Sequence, residues 1–223
     1  MTLSTRQIGI FGGSFNPIHC GHIALARHLL TALGLDEIWF VVSPLNPFKT
    51  QATDLLADDV RYAITARALA SQPGLSASDV EMTLPRPSYM WNTLCHLSEL
   101  HPHARFTLLI GADNWLAFDR WAHSQDIITH YRIAVYPRPG YEVDAAAMPP
   151  SVTYVHSDLY PVSSTEIRRR IAAGESIEGM VPQDIQALVE HYYRYPATIA
   201  APATIVVSAM QTCHGANGKH CGE

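Results

Sequence analysis

The residues 11–22, FGGSFNPIHCGH, bring three glycines, a proline and two histidines into twelve positions, directly after the apolar run QIGIF. Glycine between a strand and a helix lets backbone N–H groups approach an anion closely, and a helix N-terminus adds a positive dipole end. His19 and His22 lie three residues apart, at or just before the first turn of a helix that starts near Gly21, so both rings can point toward one anion. The same residues also fit a plain structural turn carrying two histidines, or a metal site. Zinc asks for about four ligands, or three and a water; no carboxylate lies near, and Cys20 between the histidines points elsewhere. The loop lacks both the G-x-x-x-x-G-K-[ST] and the G-x-G-x-x-G phosphate patterns.

A second stretch has related chemistry. PVSSTEIRRR, residues 161–170, places Ser163, Ser164 and Thr165 at a helix start, with Arg168 one turn later. Hydroxyls, free amides and a guanidinium at one helix end form an anion site. Ser163 and Glu166 have the spacing of a capping box, so an ordinary capped helix with a solvated basic face, Arg169 and Arg170, is the competing reading.

The elements that must position these residues follow from periodicity. Apolar runs at 8–11, 37–43, 105–111, 132–136 and 152–156 read as buried strands, and 76–82, SASDVEM, as a further one. Helical spacing marks the stretch from Gly21 to Gly34, residues 58–72 with Val60, Ala63, Ile64 and Ala68 inward, 89–100 with Ser88 as its cap, the segment from 161, and a last helix from Pro182. Strands alternating with helices predict an α/β fold: a doubly wound, mostly parallel Rossmann-like sheet with helices on both faces. Ligands then sit beyond the carboxyl ends of the strands. The loops there, GGSFNPIHCGH, PLNPFK, GADNW and PRPGY, are the chemically rich ones.

The chain has 223 residues, 48% of them hydrophobic and 16% charged, with a formal net charge of -5. That suits one domain, expected over 1–195, with an extension over 196–223. The acidic balance disfavours a nucleic-acid partner. No run reaches the 18 apolar residues of a membrane span, and no signal peptide is visible, so the expected setting is the cytoplasm. A homo-oligomer is left open. Within the extension, Cys213, His214, His220 and Cys221 flank a glycine-rich loop. Four such ligands could hold zinc, but their adjacent Cys-His pairs lack the usual separation of zinc ligands; no protein metal site is assigned, and metal binding by these four is left open.

Taken together, the two stretches resemble the signatures of the adenylyl- and cytidylyltransferase superfamily, G-G-[ST]-F-x-P-x-H-x-G-H and I-S-S-T-x-I-R. Gly12, Gly13, Phe15, Pro17, His19, Gly21 and His22 match the first, and in the second Val162 replaces the commoner isoleucine. NPFK, RPSY, IGADNWLAFDRW and PRPGY are similar to segments of bacterial nicotinate-nucleotide adenylyltransferases, over residues 7 to 195. Met90 stands where many relatives have threonine; a backbone amide, which Met90 retains, does most of that threonine's work.

The resemblance implies adenylyl transfer from ATP to nicotinate mononucleotide, with pyrophosphate released and Mg²⁺ carried on the phosphates. It implies that Gly12, Gly13, Ser14, Phe15, Gly21, Gly111 and Asp113 bind ATP, Asp113 by holding ribose hydroxyls or by helping to orient the nucleotide. His19 and His22 meet charge on the ATP phosphates, Lys49 neutralises phosphate, and Ser163, Ser164, Thr165 and Arg168 hold the leaving pyrophosphate. Ser88, Tyr89, Met90, Trp121 and Arg138, with Phe15 and Lys49, bind the mononucleotide, Trp121 by stacking on its ring; its alternative is a buried core tryptophan. The rival functions are a sister transferase using nicotinamide mononucleotide, phosphopantetheine or a CTP-linked alcohol, and an inactive nucleotide-binding regulator. Trp121 and RPSY speak against the second and third of these substrates, and His19, His22 and Arg168 against the regulator.

Overall fold

The computed structural model describes residues 5–44 and 55–195. Among these residues, six strands form one sheet: β1 (Arg6–Gly13), β2 (Glu37–Val42), β3 (Leu75–Ser78), β4 (Ala104–Gly111), β5 (Arg132–Tyr136) and β6 (Val152–Tyr154). Their order is β3-β2-β1-β4-β5-β6 and every pairing is parallel. The chain therefore winds outward from β1 in both directions, and the order reverses between β1 and β4. A crevice opens at that point beyond the carboxyl ends of the strands.

Among the described residues, eight α-helices connect and cover the strands: α1 (Cys20–Ala32), α2 (Asp58–Leu69), α3 (Val80–Thr83), α4 (Met90–Leu100), α5 (Ala112–Leu116), α6 (Ser124–His130), α7 (Ser164–Ala173) and α8 (Gln183–Arg194). The strands are apolar on both faces because both are covered. Phe11, Ile38, Phe40, Val42, Leu109 and Ala134 pack with α1, α2, α7 and α8 on one face. Ile8, Ile10, Val41, Leu108, Ile110 and Val135 meet α4 and α6 on the other. Each fully buried Leu or Ile contributes about 1.5–3 kcal/mol, so this double core fixes the strand ends on which the loops stand.

Four expectations need correction. SASDVEM is not one strand: β3 ends at Ser78, and Val80–Thr83 forms a single helical turn. Ser78 accepts the Val80 N–H at 3.4 Å, a local side-chain bond that turns the backbone out of the ladder. Nor does Ser88 cap α4. Tyr89 holds the cap position, with no side-chain cap bond, and the Ser88 hydroxyl is left for other work. The helix expected to run to residue 72 ends at Leu69, and the strand at 152–156 ends at Tyr154. Among the described residues, no helix is long and apolar enough to cross a membrane.

Candidate active site

β1 delivers Gly12 and Gly13 to the crevice, and the chain then turns back into α1 through Ser14–His19. At Gly12 a Cβ would lie 2.9 Å from the flexible Met90 Cε, so a side chain there would displace the end of that methionine. Phe15 sits in the left-handed region at φ 42° and buries its ring against Phe11, Phe40 and His22. A non-glycine residue there costs about 1–2 kcal/mol, which its packing offsets. Phe15 thus floors the site with its ring and has only backbone to offer a ligand. His19 is the N-cap of α1; its Nδ1 accepts the His22 N–H at 3.3 Å. That bond makes Nε2 the donor nitrogen of the neutral ring. The two imidazoles stack with centroids 3.6 Å apart.

The second stretch arrives at the same place from the far end of the chain. Ser163 caps α7 by accepting the Glu166 N–H at 3.2 Å. Ser164 donates its hydroxyl to the Pro17 carbonyl at 2.8 Å, across 147 residues. Arg168 donates to the Asn16 carbonyl at 2.8 Å, across 152. Thr165 is exposed on the first turn of α7. The glycine loop and the α7 start are therefore one unit, with two helix N-termini converging. Arg169 and Arg170 point away and pair with Glu166, and Arg169 also with Glu175. Glu166 thereby leaves the capping box half made.

A third group closes the site from β4 and β5. Asp113, just after Gly111, lies 3.7 Å from the Arg138 guanidinium, which in turn sits over the Tyr136 ring at 5.3 Å. A Cβ at Gly111 would crowd the Asp113 carboxylate and lie 2.8 Å from the Arg138 Nε, so a side chain there would push this pair aside. The Arg138 charge also acts on the histidines. Burial first, then the Arg138 charge, lowers His19 from 6.5 to about 4. Burial, His19 and Arg138 together hold His22 well below the usual imidazole range. Both rings are neutral at pH 7, and the His22 Nδ1 is buried without a hydrogen-bond partner.

That depression has a stability consequence. Unfolded, His19 titrates near 6.5; folded, near 4. Between these values the unfolded chain binds the extra proton, so the stability is complete above pH 6.5 and is lost as pH falls toward 4. The full loss is about 3 kcal/mol. His19→Asn keeps a cap acceptor but does not titrate. Its urea midpoint should change less than that of the unsubstituted protein over this pH interval; an equal slope would contradict the assignment.

Beside the joined glycine loop and α7 start lies a cavity of about 430 Å³. Gly12, Gly13, Ser88, Tyr89, Met90 and Trp121 all line it, as do Glu81, Asn114, Arg120 and Tyr136. Trp121 is half-buried, tilted against Phe118 at 5.1 Å, and still presents surface to the cavity. Lys49 and the four tail residues Cys213, His214, His220 and Cys221 lie outside the described residues. Among the described residues, no group of three or more His, Cys, Asp or Glu could hold a metal ion.

Several working residues escape sequence reasoning. Asn16 Oδ1 accepts from the Leu56 N–H at 3.2 Å and from the Tyr193 hydroxyl at 2.6 Å, tying α8 and the start of α2 to the glycine loop. Arg61, fully buried, donates to the carbonyls of Ser14, Pro44 and Leu56. Glu81 is buried beside the cavity. An out-of-pattern charge at an inward helical position, Arg61, was the one available signal.

Comparison with known proteins agrees with this geometry. The cytidylyltransferase-like family model matches residues 10–170. The chain is 47% identical, over 95% of its length and all of the relative's, to a Bacteroides fragilis protein named "Probable nicotinate-nucleotide adenylyltransferase". A protein of the same name from Bacteroides thetaiotaomicron is 43% identical over 86% of this chain and 95% of its own. A Plasmodium falciparum nicotinic acid mononucleotide adenylyltransferase complexed with NaAD superposes with a TM-score of 0.68 at 19% identity, over 84% of this chain and 97% of that one, a likeness of fold. The chain belongs to the cytidylyltransferase-like family and, within it, to the nicotinate-nucleotide adenylyltransferases.

Proposed function

We propose that this protein transfers the adenylyl group of ATP to nicotinate mononucleotide, giving nicotinate adenine dinucleotide and pyrophosphate. The observation that carries the reading is the joining of the glycine loop to the α7 start, through Ser164–Pro17 and Arg168–Asn16, beside a cavity walled by Trp121. A phosphate oxygen of the mononucleotide attacks the α-phosphorus of ATP in line. The bond to the β,γ-pyrophosphate breaks, and the leaving group takes the electron pair. The protein's task is to bring two polyanions together and stabilise charge in flight.

The resemblance supports the following roles, and the placement of the described residues is compatible with them. Gly12, Gly13 and the Ser14–Phe15 backbone make room for the phosphates. His19, through Nε2–H, and His22 donate to ATP oxygens. Ser163, Ser164, Thr165 and Arg168, at the α7 start, receive the β- and γ-phosphates. Asp113 takes ribose hydroxyls and Arg138 the reacting phosphate, with Lys49 as a further cation. Trp121 stacks on the pyridinium ring, a cation–π contact. The amides at Tyr89 and Met90, at the α4 N-terminus, favour a ring carboxylate. Imidazole, guanidinium and hydroxyl groups suit phosphate oxygens better than a bare cation, so Mg²⁺ fits as an ion carried on the triphosphate, where it offsets charge.

Steady-state turnover with nicotinate and with nicotinamide mononucleotide tests the reading. A higher kcat/KM for the acid is expected. A clear preference for the amide would overturn it in favour of the sister reaction.

A further inference from the structure

Glu81 is a buried carboxyl group that the reaction above does not use. It sits on α3, which packs on β2, and it lines the cavity alongside Ser88, Tyr89 and Met90. Its Oε1 accepts the Thr93 hydroxyl at 2.9 Å, whereas its Oε2 is buried with no hydrogen-bond partner. Ser43 and Ser88 hydroxyls face it without completing a bond, and the Ser88 Oγ is itself buried and unpartnered. Burial pushes the carboxyl up, against the pull of these hydroxyls.

Thr93 is the link to the site. It lies one turn into α4, and its Oγ1 has a second acceptor, the Tyr89 carbonyl, at 3.4 Å. A hydroxyl has a single proton. Glu81 takes it at the shorter distance, which leaves the Tyr89 carbonyl to the Thr93 backbone N–H at 3.3 Å. The Glu81–Thr93 bond ties this turn of α4 to α3, and losing either partner releases it. The turn concerned carries the Tyr89 and Met90 amides.

We propose that Glu81 is a positioning residue for the mononucleotide: by holding Thr93 it sets the first turn of α4, and so the amides that meet the ring carboxylate. The inference rests on the function proposed above. It requires that damage be confined to one substrate, which a general structural role would not do.

The test is steady-state kinetics with both substrates varied on the full chain, for the unsubstituted protein and Glu81→Leu, Glu81→Gln and Thr93→Val. Glu81→Leu and Thr93→Val should raise the KM for nicotinate mononucleotide about tenfold, with the KM for ATP changed less than about twofold. Glu81→Gln should recover most of the loss, because its amide oxygen accepts from Thr93. Thr93→Val is nearly isosteric and keeps the test valid if the leucine variant does not fold. A folded Thr93→Val with an unchanged KM, or both KM values rising together, would overturn the proposal. An unsubstituted protein that leaves nicotinate mononucleotide unreacted would overturn the function itself.

Discussion

His22→Ala is expected to lower kcat about 10²–10³-fold, the effect of removing one preorganised donor to developing charge. The KM for ATP should move far less, because the contact strengthens only as negative charge builds on the phosphates. The geometry gives the reason. His22 stacks on His19 at 3.6 Å, with both rings enclosed at a helix N-terminus, and its Nδ1 has no hydrogen-bond partner. A buried polar atom left unpaired costs roughly 1–3 kcal/mol, so a bound phosphate that satisfies this ring relieves a cost already present. Both imidazoles are held neutral by burial, by Arg138 and, for His22, by its partner. An incoming polyphosphate opposes all three effects and raises both pKa values. A kcat within about threefold of the unsubstituted enzyme would remove His22 from the chemistry.

Arg61→Met is expected to be the most destabilising substitution considered. The guanidinium is fully buried, donates to Leu56 O at 2.9 Å, to Pro44 O at 3.4 Å and to Ser14 O, and pairs with Asp58 at 2.6 Å. Asp58 also takes Arg86 at 2.8 Å. Methionine fills much of the volume but leaves three carbonyls and half of a carboxylate without their donor. Breaking a buried pair from one side costs about 3–5 kcal/mol. For a domain of this size that is roughly 6–20 °C in thermal midpoint. Arg61→Lys should fall between, since one ammonium cannot serve four acceptors in a fixed fork. Because Ser14 and Pro44 follow β1 and β2, activity should fall with stability. A midpoint shift of less than about 2 °C would show that the network contributes little.

How much of this was legible in the sequence depends on distance along the chain. The strand-helix alternation was readable because burial on both faces leaves continuous apolar runs such as EIWFVV. The Ser163 cap was readable because capping is a three-residue event. The union of residues 12–22 with 163–168 was readable only as a resemblance, since no local signal reports that Arg168 reaches Asn16. Glu81 was not readable as a working residue, and Arg61 showed only as a charge at an inward position. A charge at an inward position becomes sensible only once its acceptors, from residues 14, 44 and 56 for Arg61, are seen to converge. Ser88 misled for a related reason: it stands one residue before the true cap, Tyr89, and its hydroxyl is enclosed at the cavity instead.

The central claim is that ATP is cleaved between its α- and β-phosphates at the joined glycine loop and α7 start. Label transfer tests it most directly. Supplied with nicotinate mononucleotide and Mg²⁺, the protein should pass label from α-labelled ATP into the dinucleotide, and label from γ-labelled ATP into pyrophosphate alone. Label from the γ position on the mononucleotide, or no α-label in a dinucleotide, would contradict the account.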